Sequence, residues 1–172
     1  MTAIEFALLA APLTFIILGA IEFSLFLFVQ SSLEGATFAA SRIGKTGYVE
    51  DTLTQEETIR GVIEDRLGFF LDMNQLSVEA TSYADFSSIG QPEPFVDANG
   101  NGVHDLTERY TDSNGNGTYD TDMGVEGPGT AGEVVVYTVS YPWRILNPLF
   151  MTMMGGEEVD ITSKFVVKNE PY

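Results

Sequence analysis

The chain has 172 residues, 25 of them acidic and 8 basic, which gives a net charge of -17 at pH 7, yet 44% of its residues are hydrophobic. So acidic a chain excludes proteins that bind nucleic acid or anionic lipid through a basic face. The absence of cysteine excludes disulfide scaffolds, cysteine-based zinc sites and thiol catalysis, and the single histidine, His104, argues against histidine triads and multi-histidine metal sites. The apolar and the acidic residues must therefore lie in different parts of the chain.

The apolar residues concentrate near the start of the chain, in residues 6–29, where the only ionisable side chain is Glu22. A helix of this length would extend roughly 36 Å and could cross a bilayer core of about 30 Å. No Lys or Arg precedes Arg42, and the apolar run is longer than that of a secretion signal. We therefore expect residues 1–29 to form a transmembrane or filament-core helix from which a basic leader has already been removed.

Two carboxylates mark this helix, Glu5 at its edge and Glu22 inside it. Their spacing places them within about 20° of the same helical face and roughly 25 Å apart along the axis. A carboxylate in lipid is costly and normally has a partner. Either Glu22 is tolerated through protonation or tilt while Glu5 lies among the headgroups, or one or both pair with a neighbouring copy. Pro12, with Gly19 nearby, predicts a kink or a loosened turn.

Beyond residue 29 the helix is predicted to continue as a half-buried segment that stops at Gly44 or Gly47. Its small and apolar residues recur at helical spacing: Leu33, Ala36, Thr37, Ala40 and Ile43. A second helix is predicted after a capping box formed by Thr54 and Glu57. Its apolar face comprises Ile59, Val62, Ile63, Leu67, Phe70 and Leu71.

Three strands are predicted farther along the chain, at residues 76–83, 133–141 and 159–168. Residues 147–154 are predicted to form a short helix that ends at Gly155 and Gly156. These elements predict an α+β fold, in which the long N-terminal hydrophobic helix packs on a small antiparallel sheet with a second helix beside it. The globular domain then covers residues 30–172.

An acidic insertion, residues 93–126, contains eight acidic side chains and one basic one, Arg109. Two similar stretches lie within it, residues 97–105 and 112–120. The first, read as far as Glu108, matches the calcium-loop pattern D-x-[DN]-x-[DN]-G-x5-E. Its expected Ca²⁺ ligands are Asp97, Asn99, Asn101, the Val103 carbonyl, Asp105 and Glu108.

The second stretch lacks a carboxylate at the twelfth position, where it has Met123. Asp122 or Glu126 could complete it, as could Glu108 reaching across. Its other expected ligands are Asp112, Asn114, Asn116, the Thr118 carbonyl and Asp120. The alternative is a pair of Asn-Gly turns on a solvated acidic loop. Because prolines rather than an apolar helix precede the loops, we expect isolated calcium loops of weak affinity, roughly 10⁻⁴–10⁻³ M, typical of extracellular modules.

The two ends of the chain resemble a known family. Met1 to Phe6 followed by a long apolar helix resembles a mature type IV pilin, whose signature is a glutamate at the position of Glu5. Glu5-Phe6 and Ile21-Glu22-Phe23 are more narrowly similar to the TadE-like branch of the tight-adherence (Tad) pilus system. The strand at residues 134–142 and the last residues of the chain are similar to the endings of those proteins. The resemblance covers residues 1–48 and 132–172, and the acidic insertion departs from it.

This resemblance implies a structural subunit of an extracellular, adhesive filament at the cell surface, which resides in the inner membrane before assembly. The filament would be a helical homo-oligomer, and prepilin peptidase and the pilus assembly machinery would be further partners. Glu5 would neutralise the free amine of Met1 on an adjacent subunit, and Pro12 with Gly19 would supply a non-helical stretch. The residues implied in assembly are Met1, Glu5, Phe6, Pro12 and Glu22.

Two alternatives stay open beside the filament subunit. One is a minor pseudopilin that primes assembly, and the other is a single-pass, membrane-anchored calcium-binding domain. An enzyme is not expected, because the sequence contains no nucleophile motif, no phosphate loop and no second histidine.

Overall fold

The computed structural model describes residues 3–46 and 54–170. Met1 and Gly47, which the sequence implicates in assembly and in helix termination, lie outside these residues. The helices and strands are α1 (Ala3–Thr46), α2 (Gln55–Leu67), β1 (Ser77–Tyr83), β2 (Val125–Glu126), β3 (Val134–Arg144), α3 (Pro148–Met154) and β4 (Glu158–Lys168). Their order gives an α+β fold with a long N-terminal helix, as the sequence predicts.

The N-terminal helix α1 is continuous over 44 residues, with Pro12 inside it, and therefore extends about 66 Å. Gly44 lies inside the helix, so the predicted stop there is wrong, and the alternative stop at Gly47 lies outside the described residues. The residues on both sides of Pro12 are helical, and the kink or loosened turn expected there stays a prediction. Exposure changes near residue 29, as expected: Ile4 is 75% exposed, whereas Leu33 is fully buried.

Helix α2 begins with the predicted capping box. The Thr54 N–H donates to Glu57 Oε2 (2.6 Å), and the Glu57 N–H donates to Thr54 Oγ1 (3.2 Å). The buried residues of its apolar face are Ile59, Ile63 and Leu67. Phe70 is 60% exposed, contrary to its predicted place in the core, because α2 has already ended and the ring packs edge-on against Phe28.

The four strands form one small antiparallel sheet in the order β2-β1-β3-β4. The three predicted strands are β1, β3 and β4, and the predicted short helix is α3, which ends at Gly155 with φ of +76°. Strand β2 was not predicted, since two residues carry no strand pattern. Its register pairs Thr81 with Glu126 and Ser82 with Val125. The most deeply buried strand is β3, from Val134 to Tyr137.

The chain divides into two compact units. The first comprises Met1–Ala40, Arg60–Val78 and Thr138–Lys164, and so contains most of α1 together with α3. The second comprises Ser41–Ile59, Glu79–Tyr137 and Phe165–Tyr172, and contains the acidic insertion. Each unit carries one of the two candidate functional features, the apolar helix in the first and the tandem loops in the second.

Candidate functional site

The apolar side chains of α1 lie open along its first seven turns. Phe6 is 66% exposed and Phe23 is 62% exposed. Residues Ala3–Ser41 contain the one described helix that is long and apolar enough to span a membrane. Glu5 lies in the first turn and is exposed. Because Met1 lies outside the described residues, the pairing of Glu5 with its amine stays a prediction.

Glu22 lies on the same helix but is only 8% exposed. Its Oε1 accepts the Leu146 N–H (2.5 Å), and its Oε2 accepts the Asn147 N–H (3.1 Å). These two hydrogen bonds satisfy both oxygens of a side chain that is nearly inaccessible to solvent. Within its own chain, the partner of Glu22 is therefore the backbone just before α3 begins. The pairing of Glu22 with a neighbouring copy stays a prediction.

Gly19 lies one turn before Glu22 and faces α3. A Cβ at this position would lie 2.9 Å from Phe150 Cζ, so a side chain here would displace the ring. Phe15 packs against the same ring, with 5.5 Å between ring centroids. Gly19, which the sequence associates with loosening of the helix, thus leaves the space against which the Phe150 ring of α3 packs.

The first acidic loop is closed by its own carboxylates. Asp97 Oδ1 accepts the Gly100 N–H (2.7 Å), and Asp97 Oδ2 accepts the Gly102 N–H (2.9 Å). Both glycines have positive φ, 73° and 77°, which a side chain would strain. The Gly102 N–H, with those of Gly100 and Asn101 also contributing, lowers the pKa of Asp97. Loop 1 is therefore preorganised around an ionised Asp97.

The remaining residues of loop 1 converge on Asp105. The side-chain amides of Asn99 and Asn101 donate to Asp105 Oδ2 at 2.6 and 3.1 Å. The Asn101 amide oxygen accepts the N–H of Val103 (2.8 Å). Five of the six predicted ligand residues of this loop are thus brought together by hydrogen bonds.

Glu108 joins the two ends of loop 1. Its Oε1 accepts the Ala98 N–H (2.8 Å), and its Oε2 accepts the Asp105 N–H (3.1 Å). The carboxylate predicted at the twelfth position therefore spans the second and the ninth residues of the loop.

The second loop repeats the hydrogen bonds of the first. Asp112 Oδ1 accepts the Gly115 N–H (2.6 Å), and Asp112 Oδ2 accepts the Gly117 N–H (2.9 Å). The side-chain amides of Asn114 and Asn116, both predicted as Ca²⁺ ligands, donate to Asp120 Oδ2 at 2.8 and 2.6 Å. The Asn116 amide oxygen accepts the Thr118 N–H (2.7 Å).

Glu93 closes the second loop. Its Oε1 accepts the Ser113 N–H (2.6 Å), and its Oε2 accepts the Asp120 N–H (3.2 Å). Ser113 and Asp120 are the second and ninth residues of loop 2, the places that Ala98 and Asp105 hold in loop 1. Glu93 is fully buried. A carboxylate from upstream of both loops thus does for loop 2 what Glu108 does for loop 1.

Asp122, predicted as a ligand of the second loop, has different partners. Asp122 Oδ2 accepts the Tyr83 hydroxyl (3.0 Å), and Oδ1 accepts the Gly124 N–H (3.1 Å). Burial, followed by this hydrogen bond, raises the pKa of Tyr83. Glu93, rather than Asp122, makes with loop 2 the two main-chain hydrogen bonds that Glu108 makes with loop 1. A search of the sequence for acids on both sides of each loop could have found it.

Four aromatic rings hold the two loops together. His104 of loop 1 stacks on Tyr119 of loop 2, with ring centroids 3.8 Å apart and an interplanar angle of 18°. Phe95 and Tyr110 pack edge-on against the His104 ring at 5.6 and 5.5 Å. Phe95 and Tyr110 also form an isolated antiparallel bridge. The tandem loops therefore form one packed module.

The donor set of the module consists of hard oxygen atoms, which suit Ca²⁺. Within the described part of the chain, no three His, Asp or Glu side chains converge on one point. The carboxylate and amide oxygens are turned towards backbone N–H groups, and Glu93 and Glu108 bridge each loop by its main chain. The structure thus closes both loops by hydrogen bonds to their main chain, and the binding of a cation by these residues stays a prediction.

Comparison with protein families identifies the N-terminal segment. Residues 1–42 match the family described as TadE-like protein. This match confirms the resemblance over that segment, and with the apolar α1 it fits a membrane-anchored subunit related to the Tad pilus. Comparison with curated proteins and with solved structures found no match. The resemblance of residues 132–172 stays a prediction.

Proposed function

We propose that the chain is a structural subunit of an extracellular Tad-type filament, held in the inner membrane by α1 until assembly. The observation that carries this proposal is that the family match, residues 1–42, coincides with the exposed apolar face of α1. Side chains that are open in one chain would be covered by lipid first and by neighbouring helices afterwards. Relative to exposure to water, each Å² of apolar surface so covered contributes about 25 cal/mol, both in the bilayer and in the filament.

In this proposal Glu5 pairs with the N-terminal amine of Met1 on an adjacent subunit. The pair would lie among apolar side chains, where removing one partner costs about 3–5 kcal/mol. Prepilin peptidase would generate the free amine, and the assembly machinery would extract the helix. In this proposal Glu22 serves its own chain instead, since its carboxylate accepts two N–H groups of the segment before α3.

The experiment is electron microscopy of material sheared from cells that express the chain, compared with cells that express Glu5→Gln. Filaments that label with an antibody to the chain along their length, and that are lost in Glu5→Gln, support the subunit and its pairing. Glu34→Gln, on an exposed turn of the same helix, is the matched control and should leave filaments unchanged. Labelling at filament tips alone would indicate the priming pseudopilin instead.

The acidic module is proposed to bind Ca²⁺ and to stiffen the outer part of the subunit. The support is the repeated loop geometry, with Glu108 and Glu93 each bridging the second and ninth residues of one loop. Both would supply the carboxylate that calcium loops place at position twelve. Two such ions would also reduce the repulsion among the acids of residues 93–126.

Calcium binding is tested by titrating the purified protein with CaCl₂ in a calorimeter and by limited proteolysis with and without EDTA. We expect binding near millimolar concentrations and faster cleavage within residues 93–126 after chelation. Glu108→Gln should remove one binding event and Glu93→Gln the other, whereas Glu126→Gln on strand β2 should remove neither. Equal heats and equal cleavage with EDTA would leave a solvated acidic loop as the correct interpretation.

A further inference from the structure

Residues 145–156, the segment around α3, contain no charged side chain, although 19% of the residues in the chain are charged. Arg144 precedes the segment and Glu157 follows it. Among its described side chains, Met153 is 77% exposed and Leu146 is 64% exposed. The segment thus has exposed apolar side chains and no charge, in a chain whose net charge is -17.

Three contacts fix where this segment lies along α1. The backbone of Leu146 and Asn147 donates to Glu22, and the ring of Phe150 packs on Phe15 and over Gly19. All of these residues belong to the first compact unit. The segment is therefore held beside residues 15–22 of the helix that is proposed to cross the membrane.

The position along the helix gives a depth in the bilayer. At 1.5 Å per residue, residues 3–22 of α1 extend about 30 Å, the thickness of a bilayer core. If the core begins at residue 3, its far boundary falls near Glu22, and Phe150 lies roughly 5–10 Å inside it. That is the depth at which interfacial helices bury their apolar faces. A span that began later along α1 would place α3 deeper still.

Two further features fit a position at the boundary between hydrocarbon and water. Trp143 lines a cavity of about 160 Å³ together with Glu22 and Phe150, and tryptophan is enriched at membrane interfaces. Glu22, otherwise costly at this depth, has its carboxylate satisfied by two N–H groups of the segment. These hydrogen bonds thus lower the free-energy cost of placing in the bilayer both the Glu22 carboxylate and the backbone N–H groups of Leu146 and Asn147.

We propose that residues 145–156 form a second membrane element, which lies in the interfacial layer of the bilayer where the globular part emerges. The occupant of the apolar surface formed by Leu146 and Met153 is lipid. This inference rests on the proposed membrane span of α1. Before assembly, the subunit would be held in the bilayer at two points of the chain.

The absence of cysteine allows single reporters at chosen positions. The full chain is reconstituted in phosphatidylcholine vesicles with an NBD fluorophore on Met153→Cys, Leu9→Cys or Thr162→Cys. Leu9 is exposed on the apolar part of α1 and reports the span itself, whereas Thr162 is exposed on β4, six residues beyond the end of the segment. Quenching by lipids that carry a spin label near the headgroup or deep in the acyl chain measures depth.

We expect the Met153 label to be quenched at least three-fold more strongly by the shallow spin label than the Thr162 label, and the Leu9 label to be quenched by the deep one. If Leu9 is quenched and Met153 behaves like Thr162, the span holds and the interfacial element is refuted. If neither is quenched, the span and this inference both fail. A blue-shifted Met153 label that no lipid quenches would point to contact with a second copy and would overturn the assignment to lipid.

Discussion

Two buried glutamates, one in each compact unit, are held in the same way in opposite surroundings. Glu22 (8% exposed) lies among apolar side chains, and Glu93 (fully buried) lies among acids. Each accepts two backbone N–H groups from a distant part of the sequence, at residues 146–147 for Glu22 and at residues 113 and 120 for Glu93. A carboxylate that bridges main chain can therefore fasten a segment without any basic partner, which suits a chain with so few of them.

The two carboxylates have different roles, because Glu22 lies among apolar side chains and Glu93 among acidic ones. Glu22 fixes the segment before α3 to α1, and each of its two oxygens accepts a backbone N–H there. Glu93 closes loop 2, whose other oxygens are proposed to bind Ca²⁺. Its hydrogen bonds therefore hold the loop in the conformation that the proposed ion would need. The following variants test this contrast, beginning with the largest expected effect.

Glu22→Ala should have the largest effect, because it leaves the N–H groups of Leu146 and Asn147 without their acceptor. Each buried group left unsatisfied costs about 1–3 kcal/mol. We expect amide hydrogen exchange at both residues, measured in detergent micelles, to accelerate by at least ten-fold. Glu34→Ala on an exposed turn should change them by less than two-fold, and equal exchange in the two variants would contradict the fastening role of Glu22.

Glu93→Gln should have the next largest effect, since the amide can accept one N–H but presents its own N–H₂ to the other. The cost is about 1–3 kcal/mol in a fully buried site. Hydrogen exchange at Ser113 and Asp120 should accelerate even without calcium. Glu108→Gln is the matched change in the partly exposed loop 1, where water can replace the lost acceptor, so its effect should be smaller. The opposite order would show that burial does not distinguish the two closures.

Gly19→Ala tests whether Glu22 alone fastens α3 or shares this role with apolar packing. The added Cβ would lie 2.9 Å from Phe150, and forcing extra volume into such a contact costs about 1–3 kcal/mol. Thermal unfolding in micelles should begin at lower temperature. Gly35→Ala, whose Cβ meets nothing within 4 Å, should instead stabilise α1 by about 0.5–1 kcal/mol. Stabilisation by both substitutions would mean that the Phe150 ring moves away at no cost.

The smallest effect on stability is expected at Asp97, whose carboxylate is exposed to solvent, unlike those of Glu22 and Glu93. Its pKa is lowered, chiefly by the Gly102 N–H. A lowered pKa stabilises the folded loop above the ordinary value near 4 and loses that contribution as the pH falls through the lowered pKa. Exchange at Gly102, followed between pH 5 and pH 2 against Gly90, should therefore accelerate selectively below about pH 4. Parallel profiles would show that Asp97 adds nothing.

The sequence predicted the elements better than the connections between them. Helix α2 and its capping box follow from local signals, as do α3 and the three longer strands. The structure has the strands and α3 within one to three residues, whereas α2 ends four residues before Leu71, the last residue of its predicted face. The stop expected at Gly44 was wrong, because α1 continues through Gly44 to Thr46.

The partners of the two buried glutamates could not be predicted, because they depend on contacts between distant residues. Glu22 was conspicuous as a lone carboxylate among apolar residues, yet its acceptor role needed residues 146–147 brought beside it. Glu93 was inconspicuous among eight acids, and only the fold shows that it completes the second loop. The hydrogen bonds of each loop, by contrast, follow the spacing of Asp, Asn and Gly that the sequence displays.

The order of the closing carboxylates along the chain has a consequence for transplanting this module. Loop 1 is closed from behind by Glu108, whereas loop 2 is closed by Glu93, which comes before both loops. Loop 1 therefore lies in the sequence between loop 2 and the carboxylate that closes loop 2. The 15 residues that separate equivalent positions of the two loops are not a repeat that can be transplanted by itself. A graft of residues 112–120 alone would lack Glu93, the carboxylate that closes loop 2. The shortest segment that contains both loops and both closing carboxylates is residues 93–120.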